Sequence, residues 1–155
     1  MPPTVLPAFA ADVMLGKLAR WLRLMGFDTF YANDADDDFL KSLAVKENRL
    51  VLTRDAPLHQ RIPKGKSLLV RHDRLVPQLK EVCRHFALDR FHLPPRCSHC
   101  NGELQPVLKE QIKNCLPPFV ARTQSDFSQC RDCGKIFWPG THLARINLFL
   151  MRLDR

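Results

Sequence analysis

Four aspartates, Asp12, Asp37, Asp55 and Asp73, each stand where an extended or apolar run gives way to a helical pattern. Carboxylates at the ends of successive strands can converge on one edge of an open α/β sheet, where such proteins build their sites. Held together, they repel one another unless a cation binds between them. Mg²⁺ and Mn²⁺ prefer oxygen ligands, so aspartate is the residue type that such a site needs. Two such ions about 4 Å apart activate a water and stabilise the leaving oxygen of a phosphodiester. A plainer reading stands beside this one, because an aspartate before a helix also serves as an N-cap. Capping applies most readily to Asp73 and to the run Asp36, Asp37, Asp38, in which either neighbour can substitute for Asp37. Asp12 and Asp55 weigh more, since both follow apolar strands expected to be neighbours.

Cysteines supply a second chemistry. Of six, four form C-x-x-C pairs: Cys97 with Cys100, and Cys130 with Cys133. Tetrahedral zinc takes four thiolates from two such turns, and a site so filled has no open position for catalysis. Each pair is followed by a glycine that suits a knuckle turn, in Asn101-Gly102 and Gly134-Lys135. Cys83 lies on an apolar helical face and reads as core. The six histidines, including His99 between the first two cysteines and His142 in WPGTH, read as solvent or core residues. Phe137 and Trp138 offer either base stacking or packing for a ribbon with little core of its own.

The elements that must position these residues alternate. Pro7 to Ala11 reads as a first strand, followed by a helix with Met14, Leu15, Leu18, Leu22 and Met25 on one face and a stop at Gly26. Thr29 to Ala32 reads as the second strand, and a helix opens at the three aspartates. Arg49 to Thr53 is a buried-type strand, Asp55 opens a short helix through His59, and Ser67 to Arg71 is a fourth strand. Asp73 opens a last helix striped by Leu75, Leu79, Val82, Cys83 and Phe86. Strands alternating with helices imply parallel crossovers and a three-layer α/β domain. Pro94-Pro95 marks a boundary, beyond which the pattern turns irregular.

The 45% apolar content supports a core and excludes global disorder. The net charge of +8 divides evenly between residues 1–90 and 91–155 and suits a polyanionic partner. Lys17, Arg20, Arg23 and Arg54 are candidates for phosphate contacts near the acids. The bland alternative is a solvated helix face, with Arg54 excepted because it adjoins Asp55. The first ten residues lack a secretory pattern, and no apolar run approaches the roughly 20 residues of a membrane span. The expectation is a cytoplasmic protein.

In order along the chain, FAADVMLGKLARWLRLMGFD from Phe9, DDDFLKSLA from Asp36, RLVLTRD from Arg49, LLVR from Leu68, CSHCNGEL from Cys97 and CRDCGKIFWPGTH from Cys130 resemble the Mut-seven C-terminal RNase family, a branch of the PIN-like nucleases. The resemblance covers nearly the whole chain. It implies a PIN-like nuclease domain over 1–92, a zinc ribbon over 93–155, and metal-dependent cleavage of RNA, expected to be single-stranded. Carried over by position, the metal-binding acids are Asp12, Asp37 and Asp55, with Asp73 a looser match after LLVR. PIN nucleases commonly place their second acid as a glutamate within a helix, whereas this chain has an aspartate at a helix start. PIN-like proteins often pair, so the resemblance also admits a homodimer. A non-catalytic RNA-binding module is the alternative function.

Overall fold

The computed structural model describes residues 5–140 together with Leu148, Phe149 and Arg152; His142 lies outside the described residues. The small apolar run Phe9–Ala11 forms β1, completely buried. Thr29–Phe30 (β2) pairs with it on one side and Leu50–Thr53 (β3) on the other, and Ser67–Leu69 (β4) pairs with β3. All four strands are parallel, in the order β2-β1-β3-β4.

Helices α1 (Gly16–Leu24), α2 (Asp37–Lys46), α3 (Ala56–Arg61) and α4 (Leu75–Phe86) follow the four strands in turn. Strand side chains alternate between faces, and the buried sets divide accordingly. Phe9, Ala11 and Leu52 join Leu18 and Leu22 of α1 and Leu79 and Val82 of α4. Ala10 and Val51 join Leu40 and Leu43 of α2 and Leu58 of α3. The result is the three-layer α/β architecture that the alternating pattern implied, with Cys83 in its core. Phe149 is buried against the α1 and α4 side, so the C-terminal part of the chain also contributes to that core.

The element ends differ from expectation in informative ways. Strands are shorter by one or two residues. Asp36, rather than Asp37, caps α2 by accepting from the Phe39 amide at 2.8 Å. Asp55 caps α3 through the Leu58 amide at 3.2 Å. Asp73 does not open α4, which starts at Leu75 after Arg74 with no side-chain cap; Asp73 is exposed.

The second part is a three-stranded antiparallel sheet of β5 (Leu104–Val107), β6 (Phe127–Cys130) and β7 (Ile136–Phe137), in sequential order. Two short helices, α5 (Lys109–Ile112) and α6 (Pro118–Thr123), are inserted between β5 and β6. Ile112, Leu116 and Phe127 form its small core. Trp138 meets Phe127 edge to face at 6.3 Å, which gives it a packing role.

Arg23 joins the two parts. Three-residue steps fall about 60° short of a full helical turn. Arg23 therefore lies about 120° around α1 from Lys17 and points inward, while Lys17 and Arg20 stay exposed. It is only 5% exposed. Its Nε donates to Thr29 O at 2.9 Å, and its Nη1 donates to Ser98 O and His99 O at 3.0 and 3.3 Å. The expectation that Arg23 meets phosphate is therefore corrected: its donors are committed to backbone carbonyls of the first cysteine turn. Asn101 adds a second tie, accepting from the Thr29 amide at 3.0 Å and donating to Asp28 at 2.7 Å.

Asp28 also receives Arg49 at 2.9 Å. Burial acts to raise its pKa, but hydrogen bonds from Arg49 and Asn101 and the charges of Arg49 and Arg96 hold it below the usual carboxylate value. Its contribution is thus complete above the unfolded value of about 3.9 and fades as pH falls through the lowered folded value.

Replacing Arg23 by Ala should cost about 3 kcal/mol, because the buried carbonyl of Thr29 and the part-buried carbonyls of Ser98 and His99 lose a charged donor. Arg23→Lys should not restore it, since a point charge cannot span the three acceptors. Urea unfolding measures both; a loss below about 1 kcal/mol would contradict this role.

Candidate active site and metal centre

In the order β2-β1-β3-β4, the chain leaves β1 toward one side and β3 toward the other. The crevice at the carboxyl ends of β1 and β3 is the topological switch point, where open α/β sheets bind ligands. Asp12 follows β1 directly, and Thr53 ends β3 with Asp55 two residues on. Thr53, fully buried, donates from Oγ1 to Asp12 Oδ2 at 2.8 Å and accepts at the same oxygen from the Asp55 amide at 2.9 Å. One hydroxyl therefore fixes both acidic residues. The other oxygen of Asp12, Oδ1, accepts from the Val13 amide at 2.7 Å, which caps a 3-10 turn at Val13–Leu15.

Asp12 is 6% exposed and without a salt bridge among the described residues. A carboxylate offers about four lone-pair sites, and two of those on Asp12 are taken. The donor set thus fits a hard cation, and Mg²⁺ commonly binds through only one or two carboxylates while keeping several waters.

The four cysteines come together. Their sulfurs all lie within 4.8 Å of one another, with Cys97 and Cys133 at 3.6 Å and Cys100 and Cys130 at 3.4 Å. These separations exceed the ~2.05 Å of a disulfide. They approach the ~3.8 Å between corners of a tetrahedron with Zn–S bonds of about 2.3 Å. Amides of Asp132 and Cys133 point at Cys130 Sγ from 3.4 and 3.5 Å. Burial pushes the Cys100 thiol up to about 12. At Cys130 burial acts in the same direction, yet those amides and the neighbouring thiols hold it down to about 7. Four thiols so placed fit a structural zinc.

The turns also explain their small residues. In the first, Asn101 rather than Gly102 takes the left-handed conformation, at φ 72°. Gly102 is required for room: a Cβ there would lie 2.8 Å from Cys130 Sγ and 2.6 Å from Asp132. In the second, Gly134 holds φ 78° as expected.

The family model described as Mut7-C RNAse domain matches residues 7–150. The chain belongs to that family. No curated protein matches the chain. No solved structure matches it.

Within this Mut7-C domain the four aspartates do not gather as closely as the cysteines. Among the described residues, the cysteines alone place three or more His, Cys, Asp or Glu ligand atoms mutually within 4.8 Å. Asp37 faces Arg61, in the last turn of α3, at 3.6 Å, and Asp38 meets the same guanidinium at 2.6 Å. Asp55 caps the opposite end of α3, about 9 Å away along the helix axis at ~1.5 Å per residue. Arg54 is exposed beside Asp55. Thr53 is what sequence reasoning missed. Its signal was present in RLVLTRD, a threonine at the end of an apolar strand and two residues before an acid.

Thr53→Val keeps the shape of the side chain and removes both hydrogen bonds. The expected loss is about 1–3 kcal/mol, because Asp12 is left short of a buried donor. Thr53→Ser should retain most of the stability. Equal unfolding midpoints for Val and wild type would contradict the pivot.

For the cysteines, wild-type protein should bind about one zinc per chain, and Cys133→Ser should release it to a chromogenic chelator. Retention of tight zinc by Cys133→Ser would rule out the four-sulfur centre.

Proposed function

We infer that this Mut7-C domain is a metal-dependent ribonuclease that hydrolyses phosphodiester bonds of single-stranded RNA. The observation that supports this most is the Asp12–Thr53–Asp55 hydrogen-bond chain at the sheet's switch point. It holds a buried carboxylate and a half-buried one where α/β sheets bind substrates.

A bound Mg²⁺ or Mn²⁺ would supply Lewis acidity and an activated water. Asp12 would hold it, with Asp55 on the opposing strand end. Asp37, which now faces Arg61, would be the third ligand, and Asp73, exposed beyond β4, would assist through water. Arg54, Lys17 and Arg20 present exposed positive charge to the substrate backbone and offset the charge that develops at phosphorus.

The zinc ribbon serves RNA binding through its basic surface. Its first cysteine turn also braces the α/β part: Arg23, Asn101 and Asp28 connect it to the beginning of β2. That is the amino end of the strands, opposite the carboxyl end where Asp12 stands. Four thiolates held for zinc call for a reducing compartment, in keeping with a cytoplasmic protein.

The spacing of the aspartates favours one alternative, an RNA-binding module without catalysis. Cleavage of end-labelled single-stranded RNA by zinc-loaded protein in Mn²⁺ separates the two. Wild type should cleave, and Asp12→Asn should lose on the order of 100-fold in rate while still binding RNA. RNA binding without cleavage by wild type supports the module. Equal cleavage by both proteins refutes the site.

A further inference from the structure

A cleft of about 890 Å³ lies along β4, and none of Asp12, Asp37 and Asp55 lines it. As the last strand of its sheet, β4 has one backbone edge without a strand partner among the described residues. The cleft straddles that edge. His59 of α3 lines it on one side of the sheet, and Lys80, Glu81 and Arg84 of α4 line it on the other, with Arg71 and His72 beyond the strand's end.

Its charge is lopsided. Arg71, Lys80 and Arg84 face a single acid, Glu81. The Glu81 carboxylate is turned toward the backbone amide of Arg71, at 3.1 Å, rather than toward a guanidinium or ammonium group. No salt bridge among the described residues engages Arg71, Lys80 or Arg84.

The walls are also fixed in advance. Glu81 and Gln78, which donates to His72 O at 2.9 Å, fasten the segment after β4 onto α4. His59 Nδ1 is hydrogen-bonded to Ser67 Oγ at 2.6 Å, which ties α3 to the start of β4.

Finally, only β4 itself separates the cleft from the strand that carries the acidic site. Leu69 at its wall is in register with Thr53, and the Val70 amide donates to Thr53 O at 2.7 Å. Thr53 is the residue that holds Asp12.

We propose that this cleft is the track for the sugar-phosphate backbone of a single RNA strand, with Arg71, Lys80 and Arg84 as its phosphate contacts. This rests on the ribonuclease reading above, and it extends the substrate strand along β4, beyond the contacts that Lys17 and Arg20 of α1 offer. Unneutralised cations favour a polyanion, and the acidic site one strand away favours one that carries a scissile phosphodiester. An acidic peptide adding to the free edge of β4 is the competing occupant.

The test is fluorescence anisotropy of a labelled single-stranded oligouridylate on full-length, zinc-loaded protein without added Mg²⁺ or Mn²⁺. Lys80→Ala/Arg84→Ala should weaken binding about tenfold at low salt. It should also make the slope of log K against log salt shallower by about 1.4, at ~0.7 per lost phosphate contact. Lys41→Ala, on the exposed face of α2, should change neither. Lys80→Glu/Arg84→Glu should weaken binding further, and circular dichroism checks that each variant is folded.

Unchanged affinity and slope in the folded double variants overturn the track, as does binding of polyglutamate but not of RNA. Cleavage in Mn²⁺ is read in parallel. Groove variants that lose binding while no protein cleaves leave the track standing and the ribonuclease reading refuted. Groove variants that bind and cleave as wild type does refute the track alone.

Discussion

The hydrogen bond from Thr53 to Asp12 depends on a parallel pairing that only the fold supplies. β1 ends at Ala11 and β3 begins only at Leu50, and the two become neighbours because the chain crosses over β1 on its way from β2. Their register places Ala11 opposite Leu52, so the residues that follow each strand meet at the same level. The side-chain period of two then decides the rest. Ala11 and Leu52 enter the core beneath α1 and α4, and the next residue of each strand end turns toward the switch point. A slip of one residue in either strand would separate Thr53 from Asp12 and expose the apolar set. The apolar packing of both faces therefore protects the polar pair at the edge.

The amino end of the strands is organised by a different device. Buried Arg23 reaches from α1 to carbonyls at Thr29, Ser98 and His99, while Asn101 and Arg49 converge on Asp28. The cysteine turn is thereby built into the base of the α/β part. A metal held by Cys97, Cys100, Cys130 and Cys133 would stabilise this junction and not the chemistry at Asp12. The two halves of the chain that composition separated at Pro94-Pro95 are in this respect one structure. Gly26 contributes to the same junction, since a Cβ there would meet the backbone oxygen of Pro94 at 2.6 Å.

Much of the fold was legible because its local signals agree. Small and β-branched apolar runs alternate with helical stripes, and Gly26, Asp36 and Asp55 punctuate them at the expected places. The cysteine cluster was legible because C-x-x-C spacing leaves little freedom. Less legible were features that depend on direction around an element. Arg23 shares a three-residue spacing with Lys17 and Arg20 and so resembled a solvated face, although the helix rotation carries it inward. The three aspartates before α2 were legible as a helix start, but not that Asp36 is the cap and that Arg61 is the neighbour of Asp37. Thr53 read as a strand residue because nothing local reveals which carboxylate lies across the sheet. The basic cleft was hidden for a similar reason: Arg71 belongs to the end of β4, and Lys80 and Arg84 to a helix face that sequence alone reads as solvated.

The account rests on Asp12 as a cation ligand at the end of β1. Crystals of the zinc-loaded protein soaked in Mn²⁺ and measured at the manganese absorption edge test this most directly. The account predicts an anomalous peak about 2.1 Å from an oxygen of Asp12, facing Asp55 across the switch point. Manganese bound elsewhere on the molecule, with none at Asp12, would contradict it.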